Sequence, residues 1–114
     1  MNFADVAHKH NLVRNDFFKD FDTYVLSNFN HYDNSALIWR SMIHKDKYCA
    51  AENIIVGLTE YGKPVIKYSG EKRFKSMNAL NNYLTALLSV LPQLTIEYKS
   101  LLVKQKLADI EKDF

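Results

Sequence analysis

A thiol and four imidazoles are the side chains of this chain best suited to catalysis or metal binding. Cys49 follows His44 in a stretch with nearby lysines, and such lysines can lower the pKa of a thiol. A Cys–His nucleophile also needs a third group that orients the histidine, and a site for an oxyanion. The sequence indicates neither. We therefore interpret Cys49 as a small packed residue and predict that the chain is not an enzyme.

The histidines also supply too few ligands for a metal site. A zinc ion in a protein usually takes three or four side chains. Residues two apart on a helix point to different sides, and the remaining histidines each have one nearby acid. The pairs are His8 with His10, His31 with Asp33, and His44 with Asp46. The three glycines do not form a phosphate-binding loop. We predict no metal and no cofactor.

Residues 61–75, YGKPVIKYSGEKRFK, form the most informative stretch for binding. Lys and Arg supply phosphate contacts, and exposed aromatic rings stack on bases. Lysine on an edge strand is also a common protection against aggregation, and this interpretation stays the leading one. The alternatives are contact with nucleic acid and contact with an acidic protein. The candidate binding residues are Tyr61, Lys63, Lys67, Lys72, Arg73 and Lys75.

Composition predicts one folded domain that covers residues 1–114. The chain is 47% hydrophobic and 13% aromatic, which is enough for a core at this length. Positive charge is concentrated in residues 36–75, with eight Lys or Arg against four Asp or Glu. The single cysteine excludes an intrachain disulfide, and the apolar stretch 80–94 is too short to span a bilayer. We expect a cytoplasmic protein without a membrane partner.

Apolar spacing predicts helices at the N-terminus. Residues 3–10 fit a short helix, and a second helix would begin at Asn15 or Asp16 and run to about Phe29. Residues 35–44, SALIWRSMIH, fit a helix slightly better than a strand, because a capping residue precedes them. Both assignments stay open.

The second half of the chain predicts a hairpin and two helices. NIIVGLT and PVIKYS are rich in β-branched residues and are separated by a turn, so they predict an antiparallel pair that Pro64 opens. Ser76 would cap a helix that Pro92 ends or kinks, and a last helix would follow from about Gln93 to Lys112. The predicted class is α+β: a small antiparallel sheet packed against N-terminal helices and two C-terminal helices.

The last helix carries more apolar residues than one narrow stripe can hold. One side can cover the sheet, which would leave its distal end exposed. A two-fold contact between copies would bury that end. We predict a homodimer through Leu107, Ile110 and Phe114.

These features together indicate an interaction protein. The bias towards Lys, Asn, Tyr and Phe is compatible with the AT-rich genome of a phage or mobile element. We expect an accessory factor that binds and inhibits or redirects a larger host protein or nucleoprotein complex, such as a defence nuclease, in the manner of an anti-CRISPR protein. The alternative is a small regulator that binds nucleic acid through the basic hairpin at residues 61–75.

Overall fold

Short strands and three helices form an α+β fold, which the computed structural model describes for residues 1–44 and 47–112. The class is the one that the sequence predicts. The helices are α1 (Phe3–Lys9), α2 (Met77–Leu87) and α3 (Leu91–Lys112). The strands are β1 (Leu12–Arg14), β2 (Phe21–Leu26), β3 (Ile38–Ser41), β4 (Tyr48–Ala50), β5 (Asn53–Leu58), β6 (Pro64–Ser69) and β7 (Lys72–Phe74).

Five of the strands form an antiparallel sheet in the order β1-β2-β3-β4-β7. Side chains alternate between the two faces of a strand, so the register assigns each residue to a face. Tyr24, Ile38 and Ala50 are register partners on the inner face, which α1 and α2 cover. The opposite face, called the outer face below, carries Thr23, Trp39, Cys49 and Arg73 in one row.

β5 and β6 form the predicted hairpin, and Pro64 opens β6 as expected. Ile54 and Ile66 lie in the hydrophobic core, while Leu58 at the end of β5 is exposed. The hairpin is attached to the rest of the molecule by the loop after β2, because the Ile66 N–H donates to the Asn30 carbonyl over 2.9 Å. Tyr98 of α3 fixes the same loop, since its hydroxyl accepts from the Asn30 N–H at 3.0 Å.

The predicted second helix is wrong. Residues 21–26 form a strand with five consecutive buried residues, so burial on both faces hides the alternation that identifies strands. Asn15 does not cap a helix. Its side-chain amide donates to the carbonyls of Asp33 and Ser35, and its N–H donates to the Thr23 carbonyl. The N-terminal part therefore has one helix, α1, instead of several.

Residues 35–44 contain the strand β3, so the alternative that we favoured slightly, a helix, is also wrong. The pairing of β3 with β2 and β4 supplies backbone partners on both sides. This tertiary pairing outweighs the local capping preference. Leu37 and Ile38 are fully buried in the hydrophobic core, and Trp39 lies on the outer face beside Thr23.

The two predicted C-terminal helices are joined into one helical segment. The Ser76 hydroxyl caps α2 by accepting from the Ala79 N–H, as predicted. A 3-10 turn, Leu88–Val90, leads directly into α3 without a loop. Pro92 lies in the first turn of α3, where its missing N–H costs little because that group has no partner within a helix. Leu94 and Tyr98 bury the first half of α3 in the core.

Candidate interaction surfaces

The outer face of the five-stranded sheet contains a groove of about 720 Å³. Trp39 of β3 and Thr23 of β2 are register partners in this groove, and Phe21 is two residues from Thr23 on the same face. The wall comes from the segments before β2 and β3 and from the end of β6. The lining residues are Phe18, Phe21, Thr23, Tyr32, Asn34, Ser35, Ala36, Trp39, Ala51, Lys67, Tyr68, Ser69 and Gly70.

Aromatic rings dominate this groove and several keep solvent exposure. Phe21 is 40% exposed and Tyr32 is 43% exposed, although Phe is among the residues most often buried and Tyr is commonly at least half buried. Phe17 contacts the lining residue Phe18 edge to face at 5.0 Å and is 56% exposed. The exposed rings thus extend beyond the groove, and such contiguous apolar surface commonly marks a binding site.

A second, smaller hollow adjoins the groove on the same face and shares Phe21 and Trp39 with it. Its other lining residues are Ser41, Lys47, Cys49, Glu71 and Arg73. With Lys67 in the main groove, the two hollows have three cationic side chains and one carboxylate. Their balance of charge therefore favours an anionic or electron-rich ligand.

Lys67 occupies a defined place in the groove. Its Nζ lies 6.0 Å from the ring centroid of Tyr32, at the outer limit for a cation–π contact. Its stem passes beside Gly57 of the neighbouring strand. A Cβ at Gly57 would lie 2.8 Å from Lys67 Cε, so the glycine leaves the space that the lysine uses.

The six candidate binding residues of the stretch 61–75 lie in four places. Tyr61, which is 81% exposed, and Lys63 lie at the tip of the hairpin. Lys67 and Arg73 line the two hollows of the outer face. Lys72 points to the inner side, where its Nζ lies 5.0 Å from the Tyr83 ring, and Lys75 is exposed after β7. The stretch belongs to two sheets, and only Lys67 and Arg73 share a face with the groove.

The distal half of α3 is a further exposed surface, separate from the groove and the hairpin. Leu107 and Ile110 are 55% and 53% exposed, and Val103, also exposed, lies one helical turn before Leu107. Phe114, the third residue predicted for self-association, lies outside the described residues. The exposed row is opposite to the buried Leu94 and Tyr98, so α3 has two apolar sides.

The Cys49 thiol and the His31 imidazole, two groups that could do chemistry, are both held by packing or hydrogen bonds within the fold. Burial raises the pKa of the Cys49 thiol, and the Glu71 carboxylate raises it further, so the thiolate is disfavoured at neutral pH. Burial lowers the pKa of His31. The His31 Nδ1–H donates to the Phe29 carbonyl at 3.1 Å, and Nε2 accepts from the Tyr68 hydroxyl at 2.6 Å. Tyr68 in turn accepts from the Leu26 N–H, so the pair joins β2 to β6.

Metal binding has no visible site in residues 1–44 and 47–112, where no three ligating side chains of His, Cys, Asp or Glu come together. No helix among these residues combines the length and hydropathy needed to cross a membrane.

Comparisons with protein-family models, with curated proteins and with solved structures give no match to the chain. The surfaces themselves are therefore the basis for a functional argument.

The sequence analysis missed the groove and most of its residues. Phe18 and Phe21 fall within the predicted second helix, and Trp39 falls within residues 35–44, for which a helix and a strand both stayed open. A strand assignment for β2 and β3 would have been needed to place Phe21 and Trp39 together. One sequence feature could have indicated these strands. Residues 17–39 contain more aromatic side chains than the buried side of a single helix can hold.

Proposed function

We propose that this chain is a non-enzymatic binding protein that recognises a larger partner through the outer face of its sheet. The supporting observation is the concave groove with exposed Phe21 and Tyr32 and with Trp39 among its lining residues. Partly exposed aromatic side chains in a concave site are typical of the residues that contribute most to protein interfaces. The exposed Phe17 extends this surface at its rim.

The partner that fits the sequence and the surface is a host protein or nucleoprotein complex. The composition supports an origin in a phage or mobile element, and the cations around the groove support an anionic region on the partner. Binding would inhibit or redirect the host factor, for example a defence nuclease. Self-association through Leu107 and Ile110 belongs to the same proposal, because both side chains are exposed on α3.

An affinity capture from host lysate, quantified by mass spectrometry, tests the proposal with two matched variants. Phe21→Glu places a charge in the groove, and Val90→Glu places one on the 3-10 turn between α2 and α3, where Val90 is 43% exposed and does not line the groove. We expect Phe21→Glu to lose the partner and Val90→Glu to retain it, with circular dichroism unchanged for both. Equal recovery of the partner by wild type and Phe21→Glu would contradict the proposal.

The second candidate function is a regulator that binds nucleic acid, and one observation favours it. Lys67 and Arg73, two of the six residues of the basic stretch, face the same aromatic surface. Binding through them would weaken steeply with salt, because each phosphate contact releases counterions. Insensitivity to salt would favour the protein partner instead.

A further inference from the structure

We infer that the groove of the outer face binds a single strand of nucleic acid, with its bases on the aromatic rings and its phosphates on the flanking cations. This inference rests on the proposed function, since it takes the outer face as the binding surface. It names the chemistry of the occupant and narrows the nucleic-acid contact from the whole stretch 61–75 to the groove, where Lys67 lies, and the adjoining hollow, where Arg73 lies. A nucleoprotein complex would present such a strand.

The aromatic part of the groove suits unpaired bases. Successive bases of a single strand stack on aromatic side chains, and a sheet face is a common platform for them. Phe21 and Tyr32 each keep about two fifths of their surface exposed, and Trp39, which is partly exposed, lines the same groove. Duplex DNA keeps its bases stacked on one another, so it has no free base for these rings.

Charge distinguishes a nucleic-acid strand from an apolar peptide. Lys67 lies in the groove, and Lys47 and Arg73 line the adjoining hollow, against the single carboxylate of Glu71. Arg73 is paired with Glu71 only loosely, at 3.9 Å and with 76% of its side chain exposed. Its guanidinium is therefore available to a phosphate, for which Arg has a matching geometry.

The fit of Lys67 beside Gly57 gives this inference a second line of support. The end of the lysine side chain occupies the space left by the missing Cβ of Gly57, and its Nζ lies 6.0 Å from the ring centroid of Tyr32. Asn34, Ser35 and Ser69 add amide and hydroxyl groups to the lining, and these groups can bond the edges of a stacked base. Cation, rings and polar groups thus converge in one site.

Trp39 is the only tryptophan of the chain, so its fluorescence reports on the groove directly. The test is a titration with oligo(dT) and oligo(U) strands of about 12 nucleotides, with the matching duplex as a comparison. We expect single strands to quench Trp39 and the duplex to bind at least about tenfold more weakly. The logarithm of affinity should fall with the logarithm of salt with a slope of about −2, or about −0.7 for each of three phosphate contacts.

Variants separate the groove from general positive charge. Phe21→Ala should weaken binding about tenfold through lost stacking. Lys67→Glu should weaken it by a similar factor, and Gly57→Ala should weaken it less, without a change of charge, by displacing Lys67. Lys63→Glu is the control at the hairpin tip and should bind nearly as wild type. Thermal melting of each variant shows whether the fold is intact.

Four results would overturn the inference. The first is the absence of quenching by single strands at about 100 μM, which is the weak end of non-specific binding. The second is equal affinity for the duplex, and the third is an equal loss of affinity for Lys63→Glu and Lys67→Glu. The fourth uses a Glu-rich peptide with aromatic residues as a competing probe, and it is quenching by this peptide without quenching by the strands. The groove would then be a protein site, and the proposed function would stand.

Discussion

Asp22 holds together the charged cluster that fixes β2 against β3, so its removal is expected to cost much of the stability. Its carboxylate lies 2.7 Å from Arg40 Nη2 and 3.2 Å from Arg14 Nη2, and its side chain is 8% exposed. Arg40 also lies 5.1 Å from the ring centroid of Phe3, and its buried Nε has no hydrogen-bond partner among the described residues. Asp22 is therefore the group that compensates the charge of the partly buried Arg40 guanidinium.

The two ion pairs should differ in magnitude because their exposure differs. Removing one partner of a buried pair costs about 3–5 kcal/mol, and Arg40 keeps 22% exposure, so we expect about 3 kcal/mol for Asp22→Ala. Arg14 is 55% exposed, so Arg14→Ala should cost about 1 kcal/mol or less. These free energies correspond to losses in Tm of about 12 °C and at most about 4 °C.

Urea denaturation followed by circular dichroism measures both free energies of unfolding. The double variant Asp22→Leu with Arg40→Met removes both charges and keeps the volume, so it should recover most of the loss. Equal costs for Asp22→Ala and Arg14→Ala, or a cost below about 1 kcal/mol for Asp22→Ala, would refute this account of the cluster. The inner-face assignment of Asp22, which places Phe21 on the outer face, would then also need revision.

Three further predictions concern the other surfaces and buried groups. Leu107→Glu should convert a dimer to a monomer in light scattering, while the exposed Val13→Glu should not; a monomeric wild type at high concentration would contradict this. Because the folded state lowers the pKa of His31, stability should fall as pH decreases below about 6.5 and level off below the folded pKa. His31→Gln should reduce this loss, and an unchanged pH profile would argue against it. Cys49 should react with a thiol reagent far more slowly than a free cysteine, because burial raises its pKa; equal rates would contradict this.

Local signals in the sequence were sufficient for elements with clear ends. The hairpin has β-branched strands, a turn with Gly62 at φ 79° and a proline that opens β6, and all three features are readable without the fold. Ser76 caps α2 through its own hydroxyl, a local interaction. Residues 3–9 show helical spacing and form α1. These elements were predicted because neighbours in sequence determine them.

Elements that depend on distant partners were not predicted correctly. β2 is buried on both faces, so its apolar residues have no two-residue period and resemble a helical stripe. β1, β4 and β7 have three residues each, too few for any periodic signal, and exist through their neighbours in the sheet. The order β4-β7 skips the hairpin, which local propensity does not encode.

The candidate site follows the same division. The sequence analysis named Lys67 and Arg73 as basic residues near aromatic rings, but within one continuous stretch, residues 61–75. In the structure Lys67 lines the groove and Arg73 lines the adjoining hollow. Both hollows form only when β2, β3, β4 and β7 pair in this register, which the sequence alone does not show. Whether these residues bind a partner stays a prediction.

The most direct test of the outer face as the binding surface is the access of acrylamide to Trp39, measured by fluorescence quenching with and without the captured host partner. Trp39 is the single tryptophan of the chain and lines both hollows. If the partner contains no tryptophan, or if Trp39 is replaced by a fluorescent analogue that is excited separately, the emission of the complex comes from this face alone. The account predicts that the partner lowers the quenching constant severalfold and that Phe21→Glu abolishes this protection. An unchanged quenching constant in a complex shown to be fully formed would contradict the account.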